Sequence, residues 1–247
     1  MSSRGIRTSD RVLIVGQTGK GKTTLARYLA EQLQPIRLIV FDPKAELAYP
    51  GVAPARSVPE LERAMNAPVV HYVPASLERD ELEAACELVW TTRGPYLWHI
   101  DEASELTQPG YCPRGLRLCA TQGRAQHKLL LVLTQRLAES HPVFRSQSEH
   151  IIMFTPPPVE LDLKAIAGNV RREARELEHA LAELHAEYGD YSHLWYVRAT
   201  DELRRCAPLP LEGATAPAPA VAEAPPTSPH EDAPTTADEQ EAQQSAA

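Results

Sequence analysis

An α/β fold with a mostly parallel sheet, covered by helices on both faces, is what this 247-residue chain predicts. Short aliphatic and aromatic runs alternate with longer stretches whose apolar residues recur every three or four positions. The runs are apolar almost throughout, which reads as buried strands. A glycine-rich loop joins the first run to the first helical stretch, a tight strand-to-helix connection.

In chain order, Val12–Val15 is the first strand, and Gly16–Thr23 is the glycine-rich loop. Thr24–Leu33 carries Leu25, Leu29 and Leu33 on one helical face, and Pro35 stops that helix. Arg37–Phe41 is a second buried strand ending in Asp42-Pro43-Lys44. Pro54 and Pro59 punctuate a loop, Val58–Met65 is a short helix, and Val69–Val73 is a third strand. Leu77–Trp90 has helical spacing through Leu77, Leu82, Ala85 and Val89. Tyr96–Ile100 leads into Asp101-Glu102, Leu129–Leu133 leads into Thr134-Gln135-Arg136, and His150–Phe154 follows. Pro156–Pro158 closes the sheet region. Arg171–Tyr188 is an amphipathic helix, and Leu194–Val197 is the last strand before the tail.

The loop Gly16-Gln17-Thr18-Gly19-Lys20-Gly21-Lys22-Thr23 has the form G-x-x-x-x-G-K-[ST], the phosphate-gripping loop of P-loop nucleoside triphosphatases. Gly16, Gly19 and Gly21 let the backbone curl so that several N–H groups converge on one anion. Lys22 reaches the β- and γ-phosphates of a bound nucleotide, and Thr23 offers its hydroxyl to Mg²⁺. Thr24 opens a helix whose N-terminus faces the phosphates. Gly16 to Thr24 are therefore the expected nucleotide-binding residues, with ATP and Mg²⁺ as ligands. Asp101, at the end of an apolar strand about 80 residues on, is the natural second Mg²⁺ ligand. Glu102 beside it is a base for water, which points to hydrolysis rather than phosphoryl transfer to a small molecule.

Composition bounds the rest. From Ala207 to Ala247 there is no Lys or Arg, and eight of the 22 prolines fall there. Such a segment cannot bury enough apolar surface to offset chain entropy, so 207–247 reads as a disordered tail. Seven of the 33 acidic residues lie in it, leaving 26 against 25 basic side chains, a net of −1. Residues 1–10 read as an N-terminal arm and 11–206 as one ATPase domain. A near-neutral domain does not signal nucleic acid through bulk charge, so a DNA contact needs a local cluster. Arg114, Arg117, Arg124, Lys128 and Arg136 form one, with no acidic residue between them. The four cysteines show no C-x-x-C pair, which fits reduced thiols and a cytoplasmic setting. The N-terminus has no apolar signal region, and the longest aliphatic run is far too short to cross a bilayer, so direct membrane insertion is not expected.

Taken in order, these motifs resemble those of the FtsK/HerA group of P-loop ATPases, DNA-pumping motors that include packaging ATPases of tailless, membrane-containing viruses. The resemblance rests on Gly16–Thr24, on Asp42-Pro43-Lys44, on Leu97–Ala103, on Gln122–Lys128 and on Thr134-Gln135-Arg136. It covers roughly residues 10 to 200. It implies a RecA-like (ASCE) P-loop fold, Gln135 as a polar sensor beside the γ-phosphate, and Arg124 as a finger reaching a neighbouring subunit's site, with Arg117 second. It also implies a homo-oligomeric ring, usually a hexamer, double-stranded DNA as the cargo, and a capsid or membrane protein as docking partner, in a host cytoplasm or a virion. The compact length suits a packaging motor. The competing readings are a small-molecule kinase and a non-catalytic, ATP-gated interaction protein. No N-K-x-D guanine-reading motif occurs.

Overall fold

A computed structural model describes residues 5–156 and 160–210. Residues 211–247 of the expected tail, Pro157 and Pro158, and the first four residues of the expected arm lie outside the described residues.

Eight strands form one sheet: β1 Arg11–Val15, β2 Leu38–Phe41, β3 Val69–Tyr72, β4 Tyr96–Ile100, β5 Lys128–Thr134, β6 His150–Met153, β7 His193–Val197 and β8 Glu202–Cys206. Their spatial order is β3-β2-β4-β5-β1-β6-β7-β8. The first six pair in parallel, and β7 and β8 add on antiparallel. Leu194–Val197 is therefore not the last strand: β8 follows it, and its sequence Glu-Leu-Arg-Arg-Cys hides the strand because its outer residues are charged and half-exposed.

The helices are α1 Lys22–Leu33, α2 Val58–Ala64, α3 Arg79–Thr91, α4 Ala103–Leu106, α5 Arg114–Gln122, α6 Val143–Gln147, α7 Glu160–Val170 and α8 Ala174–Tyr188. α8 begins three residues later than the periodicity predicts. Arg171 is in the left-handed region, and Glu173 caps the helix in a reciprocal box with Glu176. α7 buries Leu163, Ile166, Ala167 and Val170 on one face, a stripe that the exposed Leu161 and the Ala165 on the other side blur in the sequence.

Strand alternation sorts the core onto two faces. Leu13 and Val15 of β1 join a large cluster with Ile39, Phe41, Trp98, Leu130 and Val132, packed against α3, α5, α7 and α8. Val12 and Ile14 face the other way, onto Leu25, Ala26 and Ala30 of α1, with Leu129, Leu131 and Leu133. On the first face α3 and α5 touch so closely that a Cβ on Gly115 would lie 2.1 Å from the Cys86 carbonyl oxygen. Gly115→Ala must push two helices apart, an overpacking cost of about 1–3 kcal/mol. A melting temperature lower by several degrees is expected on thermal denaturation, whereas an unchanged value would mean that the helices separate freely.

Asp10, the last residue of the expected arm, is fully buried. Trp195 Nε1 donates to His150 Nδ1 at 3.1 Å, which leaves His150 Nε2 to donate to Asp10 Oδ2, also at 3.1 Å. At the sheet margins, Ala55 closes β3 with backbone bonds to His71 and Val73, and β8 presents Glu202, Arg204 and Arg205.

Candidate active site

The C-terminal ends of β1, β4 and β5 converge, and the loop after β1 lies across them. Its backbone is tied on two sides: Gly16 N donates to the Thr134 carbonyl at 3.3 Å, and Gln17 N to the Thr155 carbonyl at 2.9 Å. Glycine at 16 is required by proximity, since a Cβ there would lie 2.6 Å from Phe154 Cβ. Gly19 and Gly21 have φ of 76° and 95°, the left-handed region that a side chain rarely adopts. The curl ends at Gly21, which caps the N-terminus of α1.

A cavity of about 300 Å³ opens there, lined among others by Thr18, Gly19, Gly21, Lys22, Thr23 and Thr24. Lys22 is buried and donates to the Gln17 carbonyl at 3.1 Å. Burial pulls its ammonium pKa below the usual lysine range, against the opposing pull of Glu102 and Asp101. Thr23 Oγ1 lies 3.3 Å from Asp101 Oδ1, so the loop and β4 bring their oxygen donors to one point.

Glu102 follows with φ 63° and ψ 76°, a strained backbone of the kind found at functional sites. Its Oε1 accepts from Ser104 Oγ at 2.7 Å, Gln135 N at 2.9 Å and Thr134 Oγ1 at 3.2 Å. Its Oε2 lies 3.8 Å from Lys44 Nζ, which also reaches Glu105 at 3.4 Å. Three donors on one oxygen fix the carboxylate and leave the other facing the Lys44 ammonium. Asp42 anchors the turn that carries Lys44. Burial alone would raise its carboxyl, but bonds from His71, Leu47 N and Glu46 N hold it below the usual range.

Not every expected residue meets in the cavity. Gln17 turns its amide to the Pro156 carbonyl, and Lys20 pairs with Asp190 at 2.8 Å. Arg124 sits in a 3-10 turn, Gly123–Gln126, before β5, at the other end of a strand about 20 Å long. There it is exposed, 3.9 Å from Glu149, which is itself paired with Arg11. The basic cluster from Arg114 to Arg136 does not stay together. Arg114 pairs with Glu87, Lys128 is buried against Trp90, and Arg136 binds Asp162 and Glu139. Arg117 and Arg124 remain at the surface. Lys44, Ser104 and Tyr191 were not singled out as site residues. The motif Asp42-Pro43-Lys44 pointed to the first, and nothing in the sequence pointed to Tyr191. A larger hollow of about 960 Å³, lined by Thr155, Pro156 and residues of α7 and α8, shares only Gln17 with the loop among the described residues.

Fold and site define a P-loop ATPase. The chain belongs to the AAA domain family, whose profile matches residues 6–141. No curated protein sequence matches it. Among solved structures it is similar to the genome packaging NTPase B204 from Sulfolobus turreted icosahedral virus 2. The sulfate complex of B204 gives a TM-score of 0.63 at 20% identity, covering 82% of this chain and 98% of that one. The ATP-gammaS complex gives 0.60 at 22%, covering 82% and 99%. VirB4 of Thermoanaerobacter pseudethanolicus gives 0.57 at 15%, covering 85% and 92%. These likenesses bear out the fold that the motifs resembled. Among the described residues no helix is long and apolar enough to cross a membrane.

Proposed function

We propose that this chain is a Mg²⁺-dependent ATP-hydrolysing motor that moves double-stranded DNA and acts as a ring. The observation that carries the reading is the make-up of the cavity. It brings together Lys22, Thr23, Asp101, Glu102 and Gln135, and among the described residues that line it none is an arginine. Phosphoryl chemistry of this type gains from a guanidinium on the transferring phosphate. A neighbouring subunit is a source for it, with Arg124 exposed on the far side of β5. DNA as cargo is supported by the motif resemblance and by the likeness in fold to a genome packaging NTPase, which extends over 98% of that chain.

Thr23 and Asp101 would hold the Mg²⁺. Their hard oxygens, 3.3 Å apart, fit an ion that takes one or two protein ligands and completes its shell with phosphates and water. When bound, the ion neutralises charge on the β- and γ-phosphates. Lys22 holds the same phosphates, Glu102 takes the proton of the attacking water, and Gln135 positions it.

The test is ATP turnover with and without double-stranded DNA, measured alongside solution mass. Faster turnover with DNA and an oligomeric mass are expected; a monomer indifferent to DNA would sink the motor reading. Arg124→Ala is expected to lower turnover at least tenfold while ATP stays bound. Mixing it with Lys22→Ala subunits should restore part of the activity, because an intact ATP site then receives Arg124 from its neighbour. Wild-type turnover by Arg124→Ala would shift the finger to Arg117.

A further inference from the structure

Tyr191 has no place in the chemistry above, yet it lines the same cavity as Gly19, Gly21, Lys22 and Thr24. It is 58% exposed, a large aromatic side chain left in solvent on the loop between α8 and β7. Every other lining residue of the cavity is a glycine, a hydroxyl side chain, an amide or a charged group. Those groups suit phosphates and a cation, and none offers an apolar face to the rest of a nucleotide.

The ring stands against the phosphate loop. A Cβ on Gly21 would lie 3.4 Å from Tyr191 Cδ1 and 3.6 Å from Phe154 Cε1. The segment carrying it is pinned on both sides. Lys20 Nζ of the phosphate loop donates to Asp190 Oδ2 at 2.8 Å. Ser192 Oγ donates to the Gly189 carbonyl at 2.6 Å and to the Leu184 carbonyl at 3.3 Å. Gly189, with φ 86°, ends α8 by donating its N–H to the His185 carbonyl at 2.8 Å. An exposed aromatic ring is thereby held beside the phosphate site, and Lys20 acquires a role as the tie between the two loops.

We propose that Tyr191 is the platform on which the nucleobase of the bound nucleotide stacks. The proposal rests on the ATPase reading above and adds to it the subsite for the base. Stacking uses a π-face that every base has, so the platform accepts adenine and guanine nucleotides alike. Its removal costs only those ligands that carry a base.

The experiment compares ATP, GTP and inorganic tripolyphosphate binding to the full chain by titration calorimetry, for wild type, Tyr191→Phe and Tyr191→Ala. Expected are a roughly 5- to 100-fold loss of ATP and GTP affinity in Tyr191→Ala, near-wild-type affinity in Tyr191→Phe, and unchanged tripolyphosphate binding in both. ATP affinity untouched by Tyr191→Ala would overturn the platform. So would an equal loss for tripolyphosphate, which would make the ring a prop for the loop. A wild-type chain that binds tripolyphosphate as tightly as ATP would remove the base subsite alone. One that binds neither would remove the phosphate site and the platform with it.

Discussion

Glu102→Gln is expected to leave ATP bound and to lower turnover by about a hundredfold to ten-thousandfold, the range that loss of a general base carries. The substitution is nearly isosteric. A glutamine oxygen can keep the bonds from Ser104, Thr134 and Gln135 N that the Oε1 of Glu102 now accepts. What disappears is the negative charge and the second oxygen, which faces Lys44. Single-turnover hydrolysis with bound nucleotide separates this from lost affinity. Turnover at the wild-type rate would assign the base elsewhere and leave Glu102 as a structural bracket between β4 and β5.

Lys22→Ala is expected to weaken ATP binding by about 2–5 kcal/mol, roughly thirtyfold to several-thousandfold, as for loss of one partner of a buried, hydrogen-bonded charge pair. The unliganded protein should not lose stability in parallel. Burial already disfavours the Lys22 charge, and the ammonium's hydrogen bond goes to a neutral acceptor, the Gln17 carbonyl. Lys22→Met, which keeps the apolar stem, is therefore expected to melt no lower than wild type without nucleotide, and to show a much smaller upward shift when ATP is added. Binding within threefold of wild type by either variant would contradict the loop assignment.

Much of this was legible in the sequence because the informative residues are local. β1 to β6 are short runs dominated by aliphatic and aromatic residues, which is enough for buried parallel strands to be recognised. The phosphate loop is contiguous, and the Asp101–Glu102 pair closes an apolar strand. The parts that escaped depend on distant neighbours. β8 is half charged, and it is a strand only because β7 offers it an antiparallel partner. α7 has a stripe of Leu163, Ile166, Ala167 and Val170, but the exposed Leu161 on its far side masks the contrast between its two faces. Lys20 meets Asp190 across 170 positions, a pairing that no local pattern announces. The basic run from Arg114 to Arg136 misled in the opposite sense. It is contiguous on paper, but a strand and a helix separate its members and send four of them to intramolecular partners.

The two margins of the sheet bear on how copies of this chain can meet. One margin is already closed by the Ala55 bridge alongside β3. The other ends in β8, whose Glu202, Arg204 and Arg205 set charges along the outermost strand. Neither invites a foreign strand to extend the ladder. Any contact between copies is therefore expected to use side-chain surfaces and loops rather than a sheet continued from one copy into the next.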